Sequence, residues 1–484
     1  MTLITDSWGR LERRRRETIS ADEWRKTIVK PESAPRPTLP FGNGRSYGDS
    51  CHCDDGQLIV ERTEPLAIKF NSETGELTAP SSTRLSDVLN IVKGTNWFPP
   101  VLPGTQFVTV GGAIANDIHG KNHGHRGTFG RHIKRLMLRG SDGAQTACSL
   151  TENPELFAAT IGGLGLTGFI EDATLQLMPV DGQTIETRNQ PFSNLDGFFE
   201  LVDEAESHSE YCVAWVDSIA RGKRLGRGVL ITGNHVPGGP TKTTPSKAQR
   251  RLSVPFTPPF PLVSGLALRA FNEAYFQANS RKTTPRRVTP NSFFFPLDAI
   301  GRWNRLYGPN GLYQHQSVLP RDTAKSAVKA LLTAAQDANQ GSFLTVLKAF
   351  GDLPSPGLLS FPKEGFTLTL DFPNRGQRTR AMLDALDAIV LDAGGRINPY
   401  KDARMAPKTF QTAFPNWREL EATRDENFQS NFWKRVTRPT LLLAPPLVPS
   451  LEMEPVNQPK QGELHTSPFV SNANALPAQI REKT

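Results

Sequence analysis

Along residues 103–125, PGTQFVTVGGAIANDIHGKNHGH, the apolar pattern changes twice. A Pro-Gly-Thr turn at 103–105 gives way to a β-branched run at 107–110. Gly111-Gly112 then open a helix-like segment of small residues over 113–118. Adjacent glycines at a helix start leave backbone N–H groups with no side chain over them, the local form of an anion site. Upstream, the pattern predicts a helix over 21–29 and short strands at 58–60, 67–70 and 76–79. Thr83 is placed to cap a helix whose apolar positions are Leu85, Val88, Leu89 and Val92, with Gly94 as its stop.

Downstream, runs at 133–138 and 146–150 flank Asp142-Gly143, a hairpin pair, and Asn153-Pro154 starts a helix to 161. A strand-like run covers 169–178. Beyond 181 the segments lengthen, with helices predicted at 192–206, 324–336 and 378–392, the last ending at Gly394-Gly395. Strands are predicted at 212–216, 228–232, 293–295, 312–318, 343–348 and 366–372. The Pro-, Thr- and Lys-rich stretch 235–261 reads as a mobile loop, and residues 441–484 as a disordered tail with little to pack. Strands and helices come in clusters rather than strict alternation, which predicts an α+β fold. At 484 residues the chain exceeds one ordinary core.

Composition narrows the partners. The net charge of +8 favours anions: phosphorylated substrates, a phosphate-rich cofactor or an anionic membrane face. No zinc-finger spacing, RNP-like aromatic run or basic zipper supports nucleic acid. The cluster Arg13, Arg14, Arg15 and Arg16 reads as one solvated face. Four cysteines make no disulfide framework in a chain this long, and Cys51-His52-Cys53 is too tight for a zinc site, so free thiols in a reducing compartment are expected. His119, His123 and His125 share a glycine-broken loop without a carboxylate at useful spacing, and no metal is expected. Residues 1–16 are polar and charged, unlike a signal peptide. The apolar stretch 254–276 is broken by prolines and carries Arg269 and Glu273; it reads as lying on a membrane or covering a site, not crossing a bilayer. A cytoplasmic place, with peripheral contact at the inner membrane face, follows as the expectation.

Two glycine motifs compete for a phosphate. Residues 41–49, FGNGRSYGD, form a nest in outline. Residues 163–168, GLGLTG, match the dinucleotide fingerprint but follow a helix and precede a strand. That reverses the required context, so a Rossmann domain is rejected and the glycines read as a tight helix-to-strand turn.

With GRSYGD (44–49), TVGGAIANDIHGKNH (109–123), GLTGFI (165–170), PLDAIGRWNRLYG (296–308) and YKDAR (400–404) in view, the chain resembles the vanillyl-alcohol-oxidase (PCMH-type) family of FAD-linked oxidases. The likeness runs from Trp8-Gly9-Arg10 to about residue 435 and is densest to the branch acting on polyprenylphosphoryl ribose. It implies a two-domain fold: an FAD-binding domain over 1–180, a substrate domain on an antiparallel sheet over 181–395, and a segment over 396–440 returning to the first domain. It implies FAD contacts at Gly42, Asn43, Gly44, Arg45, Ser46, Tyr47, Gly48, Gly104, Thr109, Gly111, Gly112, Asn116, His119, Ile170 and Asn398. Sugar-lactone and alditol oxidases of the family carry a flavin-linking histidine in the first loop; Arg45 holds that place here and implies non-covalent FAD. Catalytic positions fall on Tyr47, His119 and Lys401, and substrate contacts on Lys121, Gln314, Gln316, Lys348 and Thr369. Thr369 stands where some members of the branch carry a cysteine.

Oxidising a secondary alcohol needs a hydride acceptor, a proton acceptor and a clamp for any phosphate. The resemblance gives the first to flavin. Lys401 is assigned mainly to orienting and polarising the alcohol, with direct or water-mediated proton removal both open. Lys121 and Lys348 are assigned to phosphate or ring hydroxyls, and Gln314 and Gln316 to hydrogen bonds. The implied reaction converts the 2′-hydroxyl of a polyprenylphosphoryl ribose to a ketone, the first half of an epimerisation to the arabinose form. A short-chain dehydrogenase/reductase would take the keto product. Two alternatives stand beside it: a sugar-lactone or alditol oxidase using molecular oxygen, and a non-catalytic flavin-fold binding protein.

Overall fold

Strand pairing sorts the chain into three larger sheets. The computed structural model describes residues 5–29, 36–61, 67–238 and 252–441. Near the N-terminus, Gln57–Val60 lies between Thr18–Ser20 and Thr38–Phe41, all parallel. Parallel neighbours need a crossover, and helix Ala21–Val29 lies in the first one, burying Ala21 and Trp24 against Ile59, Phe169 and Phe428. A five-stranded antiparallel sheet follows, in the order Lys69–Phe70, Glu76–Pro80, Phe169–Gln176, Ile133–Arg139, Gln145–Cys148. Helices Leu85–Ile91 and Val110–Ala115 share its core, with Leu85, Val88, Val110 and Ile114 fully withdrawn from water.

The largest sheet has eight antiparallel strands, ordered Arg286–Val288, Thr184–Phe192, Gly228–Val236, Tyr211–Val216, Thr345–Phe350, Gly365–Pro373, Leu312–Leu319, Arg396–Ile397. Successive strand residues face opposite sides. Leu347, Leu368 and Leu370 pack on helices Arg321–Asp337 and Gln377–Asp392, while Val346, Lys348, Thr369, Gln314 and Gln316 line a cavity. The second helix buries Met382, Leu383, Leu386 and Val390, the period of a one-sided helix, and ends before Gly394 at φ +73.

The chain then comes back. Thr38 donates its N–H to Asn427 O at 2.7 Å and accepts from Gln429 N–H at 2.9 Å, and Asn431 N–H donates to His52 O. On helix Asn431–Leu441, Arg435 forks onto Asp49 at 2.8 and 3.1 Å and reaches Asp402 at 3.1 Å.

Several local expectations need correction. Residues 293–295 are not a strand: Thr289 accepts from Ser292 N–H, and Pro290 starts helix Pro290–Phe294. Thr83 does not cap the following helix, whose first turn is closed by Asp87 accepting from Arg84 N–H. The glycine pair 111–112 lies inside the first turn of helix Val110–Ala115, capped by Thr109, rather than ahead of a helix over 113–118. Arg16 is not solvated, since its side chain is buried against Asp54 at 2.7 Å. Within 235–261, residues 239–251 lie outside the described residues, as does the tail from 442.

Arg435→Met should lower unfolding free energy by about 3 kcal/mol in chemical denaturation, the scale for stranding a buried carboxylate. A surface-like loss below ~1 kcal/mol would show the fork to be dispensable.

Candidate active site

A cavity of about 450 Å³ lies between the glycine loops and the free face of the eight-stranded sheet. Its loop side is mostly backbone. The N–H groups of residues 43–46 donate to no protein group among the described residues. Gly44 has φ +57, and a Cβ there would stand 2.7 Å from Asp6 O, so only glycine fits this bend. Arg45 lies over the Trp8 ring at 4.3 Å and the Phe107 ring at 5.2 Å, with its Nε buried and unpartnered. Ser82 Oγ, also on the cavity, is buried without a partner. A Cβ on Gly104 would meet nothing within 4 Å. Unsatisfied buried donors are rare. Free N–H groups, an unpaired hydroxyl, an unpaired guanidinium nitrogen and bare glycines together fit an elongated, diphosphate-bearing group such as FAD.

Two glycine expectations change. Gly111 N–H donates to Ser81 O and Gly112 N–H to Thr109 Oγ1, so neither is open to an anion as the pattern suggested. Their contribution is the closeness their missing side chains allow: a Cβ on Gly111 would sit 2.8 Å from Ser81 Cβ. Gly48 does not line the cavity. A Cβ there would stand 1.6 Å from Asp402 O, so this glycine lets the returning chain pass.

The sheet side carries the polar chemistry. His119 Nε2 lies 3.0 Å from Gln316 Nε2, and its Nδ1 lies 3.2 Å from Lys348 Nζ, which also donates to Gly120 O at 3.0 Å. Asn398 donates to Gln316 Oε1 at 2.9 Å. Gln314 donates to Asp371 Oδ1 at 2.6 Å and hydrogen-bonds Tyr47. Lys401 Nζ lies over the Tyr47 ring at 4.4 Å, and Lys121 Nζ donates to Phe293 O over the Phe293 ring.

No carboxylate lies within ion-pair distance of Lys121, Lys348 or Lys401 among the described residues. Burial therefore dominates their protonation. It lowers Lys121 to about 7; with help from the neighbouring amines it lowers Lys348 to about 7; and it lowers Lys401 to about 8 against the pull of Asp371. Burial, above all, holds His119 well below its ordinary value, so it is neutral. Burial raises the Asp371 carboxyl to about 7.

Sequence comparison places the chain among known proteins. A family profile described as an FAD binding domain matches residues 19–149. Decaprenylphosphoryl-beta-D-ribose oxidase of Mycolicibacterium smegmatis is 31% identical over 398 residues, 79% of this chain and 84% of that protein. An uncharacterized protein in the mprA 5′ region of Streptomyces coelicolor is 32% identical over 370 residues, 73% of this chain and 99% of its own length. L-gulonolactone oxidase of Mus musculus is 27% identical over 198 residues, 40% of this chain and 43% of that enzyme. The chain belongs to the vanillyl-alcohol-oxidase (PCMH-type) family of FAD-linked oxidases. It is an FAD-dependent oxidoreductase.

Apart from Gly48, every residue assigned from the sequence to catalysis, substrate or FAD lines this cavity: the loop positions, Thr109, Asn116, Ile170, Thr369 and Asn398 included. Of the remaining histidines, His125 bonds Glu206 O and Ser209 O, and His123 stacks on Phe350. Sequence reasoning missed Ser82, Asp371 and Thr367, which accepts from Gln316. It also undervalued residues 163–168. Helix Pro154–Thr160 and strand Phe169–Gln176 do flank that turn, yet Leu164, Gly165 and Gly168 line the cavity. The motif signalled a backbone wall, in a different fold from the one it usually marks.

A methyl on Gly42 would lie 2.6 Å from Thr109 Oγ1, the cap of the helix carrying the glycine pair. Gly42→Ala protein should therefore purify with a lower ratio of flavin-band to protein absorbance and bind added FAD about tenfold more weakly, ~1.4 kcal/mol. Unchanged affinity would remove this loop from the cofactor site.

Proposed function

We propose that this oxidoreductase oxidises the 2′-hydroxyl of a polyprenylphosphoryl-β-D-ribose to the 2-keto sugar. The observation carrying this reading is a polarity gradient across the cavity wall. Ile231, Val213 and Trp215 line it toward one end of the strand order; Lys348, Thr369, Gln314, Gln316 and Asn398 line it toward the other. A pentose phosphate with an apolar chain has that same order of groups.

Non-covalent FAD, held by the residues 42–47 loop with Ser82 and Gly104, supplies the hydride acceptor. Arg45, a guanidinium in that loop, offers no nucleophile for a covalent link. Lys121 clamps the phosphate. Lys401, whose Nζ makes no hydrogen bond among the described residues, orients the alcohol and, when neutral, takes its proton. Gln314, held on Asp371, and Thr369 contact the sugar. The reading keeps the division into 1–180, 181–395 and 396–440, and a short-chain reductase as the consumer of the ketone.

The apolar end continues outward. Tyr275, on helix Gly265–Ser280, lines the cavity and packs beside Phe271. Beyond it Leu252, Phe256, Phe260 and Leu266 are 76%, 68%, 61% and 80% exposed. Arg10, Arg13 and Arg305 repel one another close by. Apolar side chains rimmed by guanidinia, of which Arg13 reaches Asp6 at 3.7 Å, suit an anionic membrane face from which a lipid-borne substrate enters. No helix among the described residues is long and apolar enough to cross a membrane.

Under anaerobic conditions a polyprenylphosphoryl ribose should bleach the flavin, and gulono- or arabinonolactone should not. Bleaching by lactones alone would favour the oxygen-using alternative, to which the partial likeness to L-gulonolactone oxidase points. Lys401→Met should cut the bleaching rate by about 10²–10⁴. In the parent enzyme that rate should rise with pH through about 8, as the amine loses its proton.

Replacing Phe260 and Leu266 with serine should raise KM for a long-chain substrate more than for a short-chain analogue. An equal effect on both would sink the membrane-facing reading.

A further inference from the structure

The hydrogen bonds around His119 have a direction that can be read from one unambiguous donor. Tyr400 N–H, a backbone amide, donates to Asn398 Oδ1 at 2.9 Å. That fixes which end of the Asn398 amide is nitrogen, and its Nδ2 then donates to Gln316 Oε1 at 2.9 Å. Gln316 is fixed in turn: its Nε2 carries two hydrogens, one for Thr367 Oγ1 at 3.1 Å and one for His119 Nε2 at 3.0 Å. A ring nitrogen that accepts carries no proton. His119 is neutral, so its one ring proton is on Nδ1, facing Lys348 Nζ at 3.2 Å.

An ammonium cannot accept that proton, because all its positions are donors. We propose that Lys348 is a positioning residue acting as a neutral amine, whose lone pair accepts the His119 Nδ1–H and locks the imidazole with Nε2 turned to Gln316. One Lys348 hydrogen goes to Gly120 O. The other is left to donate to a sugar hydroxyl. Three consequences follow for the reaction. His119 has no free lone pair and is not the base. Lys348 carries no charge for a phosphate, which leaves that clamp to Lys121. Lys401 is the amine with its lone pair uncommitted.

The charged and titratable groups facing Lys348 come from every side of the cavity. His119, Lys121 and His123 lie on the loop, Glu206 on helix Leu195–Ser207 and Lys401 on the returning segment. Two amines against one carboxylate favour the neutral form, in the direction that burial already pushes. The inference rests on the site assignment but needs no substrate, so it can fail while the proposed reaction stands, and the reverse.

The test is nuclear magnetic resonance of the FAD-loaded protein carrying ¹⁵N in its histidine rings, with His119 assigned by substitution. The chain has nine histidines, few enough to resolve. The expected result near pH 8 is a protonated Nδ1 and a bare Nε2 at His119. As pH falls, protonation of Lys348 removes the acceptor, and the His119 signals should move with a midpoint near 7. In Lys348→Arg the guanidinium can only donate, so the proton should shift to Nε2. Gln316→Glu places an acceptor at Nε2 and should produce the same shift from the other side, which keeps the inference testable if one variant folds poorly. A bare Nδ1 in the parent, or an unchanged tautomer in a folded, flavin-loaded Lys348→Arg, would overturn it.

Discussion

The cavity places three lysine amines together with no carboxylate in ion-pair reach among the described residues, and much of the site follows from that constraint. An ammonium withdrawn from water and left unpaired loses hydration worth several kcal/mol. Two escapes exist: lose the proton, or wait for an anion. The amines lie where both are open. Lys348 sits among neutral hydrogen-bonding groups, and Lys401 lies over the Tyr47 ring with Asp371 behind Gln314. Lys121 is held over an aromatic face, which favours its charged form. One cluster can thus present a cation to a phosphate and a neutral amine to an alcohol, the mixture that the proposed oxidation of a phosphorylated sugar requires.

Holding these groups against one another depends on backbone passing very close to backbone. Gly48 lets the chain cross Asp402, and a Cβ on Gly9 would stand 2.2 Å from Tyr47 O. The Arg435 fork clamps the same crossing from outside, between Asp49 and Asp402. Packing at that density transmits small displacements. Tyr47, between the two crossings, and Lys401, beside the second, inherit their precision from glycines that touch no ligand.

Much of this was legible in the sequence because it was periodic. Helix Gln377–Asp392 and strand Leu312–Leu319 announced themselves by spacings of 3.6 and 2. Residues 293–295 misled because three consecutive aromatics have no period, and the Thr289-Pro290 cap that makes them helical lies just upstream. Both faces of strand Leu312–Leu319 are covered: Gln314 and Gln316 by the cavity, His315 by Asp387 at 3.1 Å. Gly48 was misread for a different reason. A glycine in a phosphate-type loop looks the same whether it faces a ligand or a strand far along the chain. Ser82 and Asp371 gave no local sign, because their roles arise only from what three-dimensional packing leaves unsatisfied.

The returning segment is more than a tether. Orientation passes from Tyr400 N–H through Asn398 and Gln316 to His119, and so from the chain's late residues to the loop that follows its central glycine pair. Each link is an amide with two distinguishable ends, so reversing one reverses all beyond it. The sheet supplies the crossing point, with Gln316 opposite Thr369 on a strand whose edge partner is Arg396–Ile397. A flavin cradle built early in the chain and a polar sheet wall built late are therefore aligned by one directional hydrogen-bond path. Loosening its start at Asn398 would change the proton on His119 by way of Gln316.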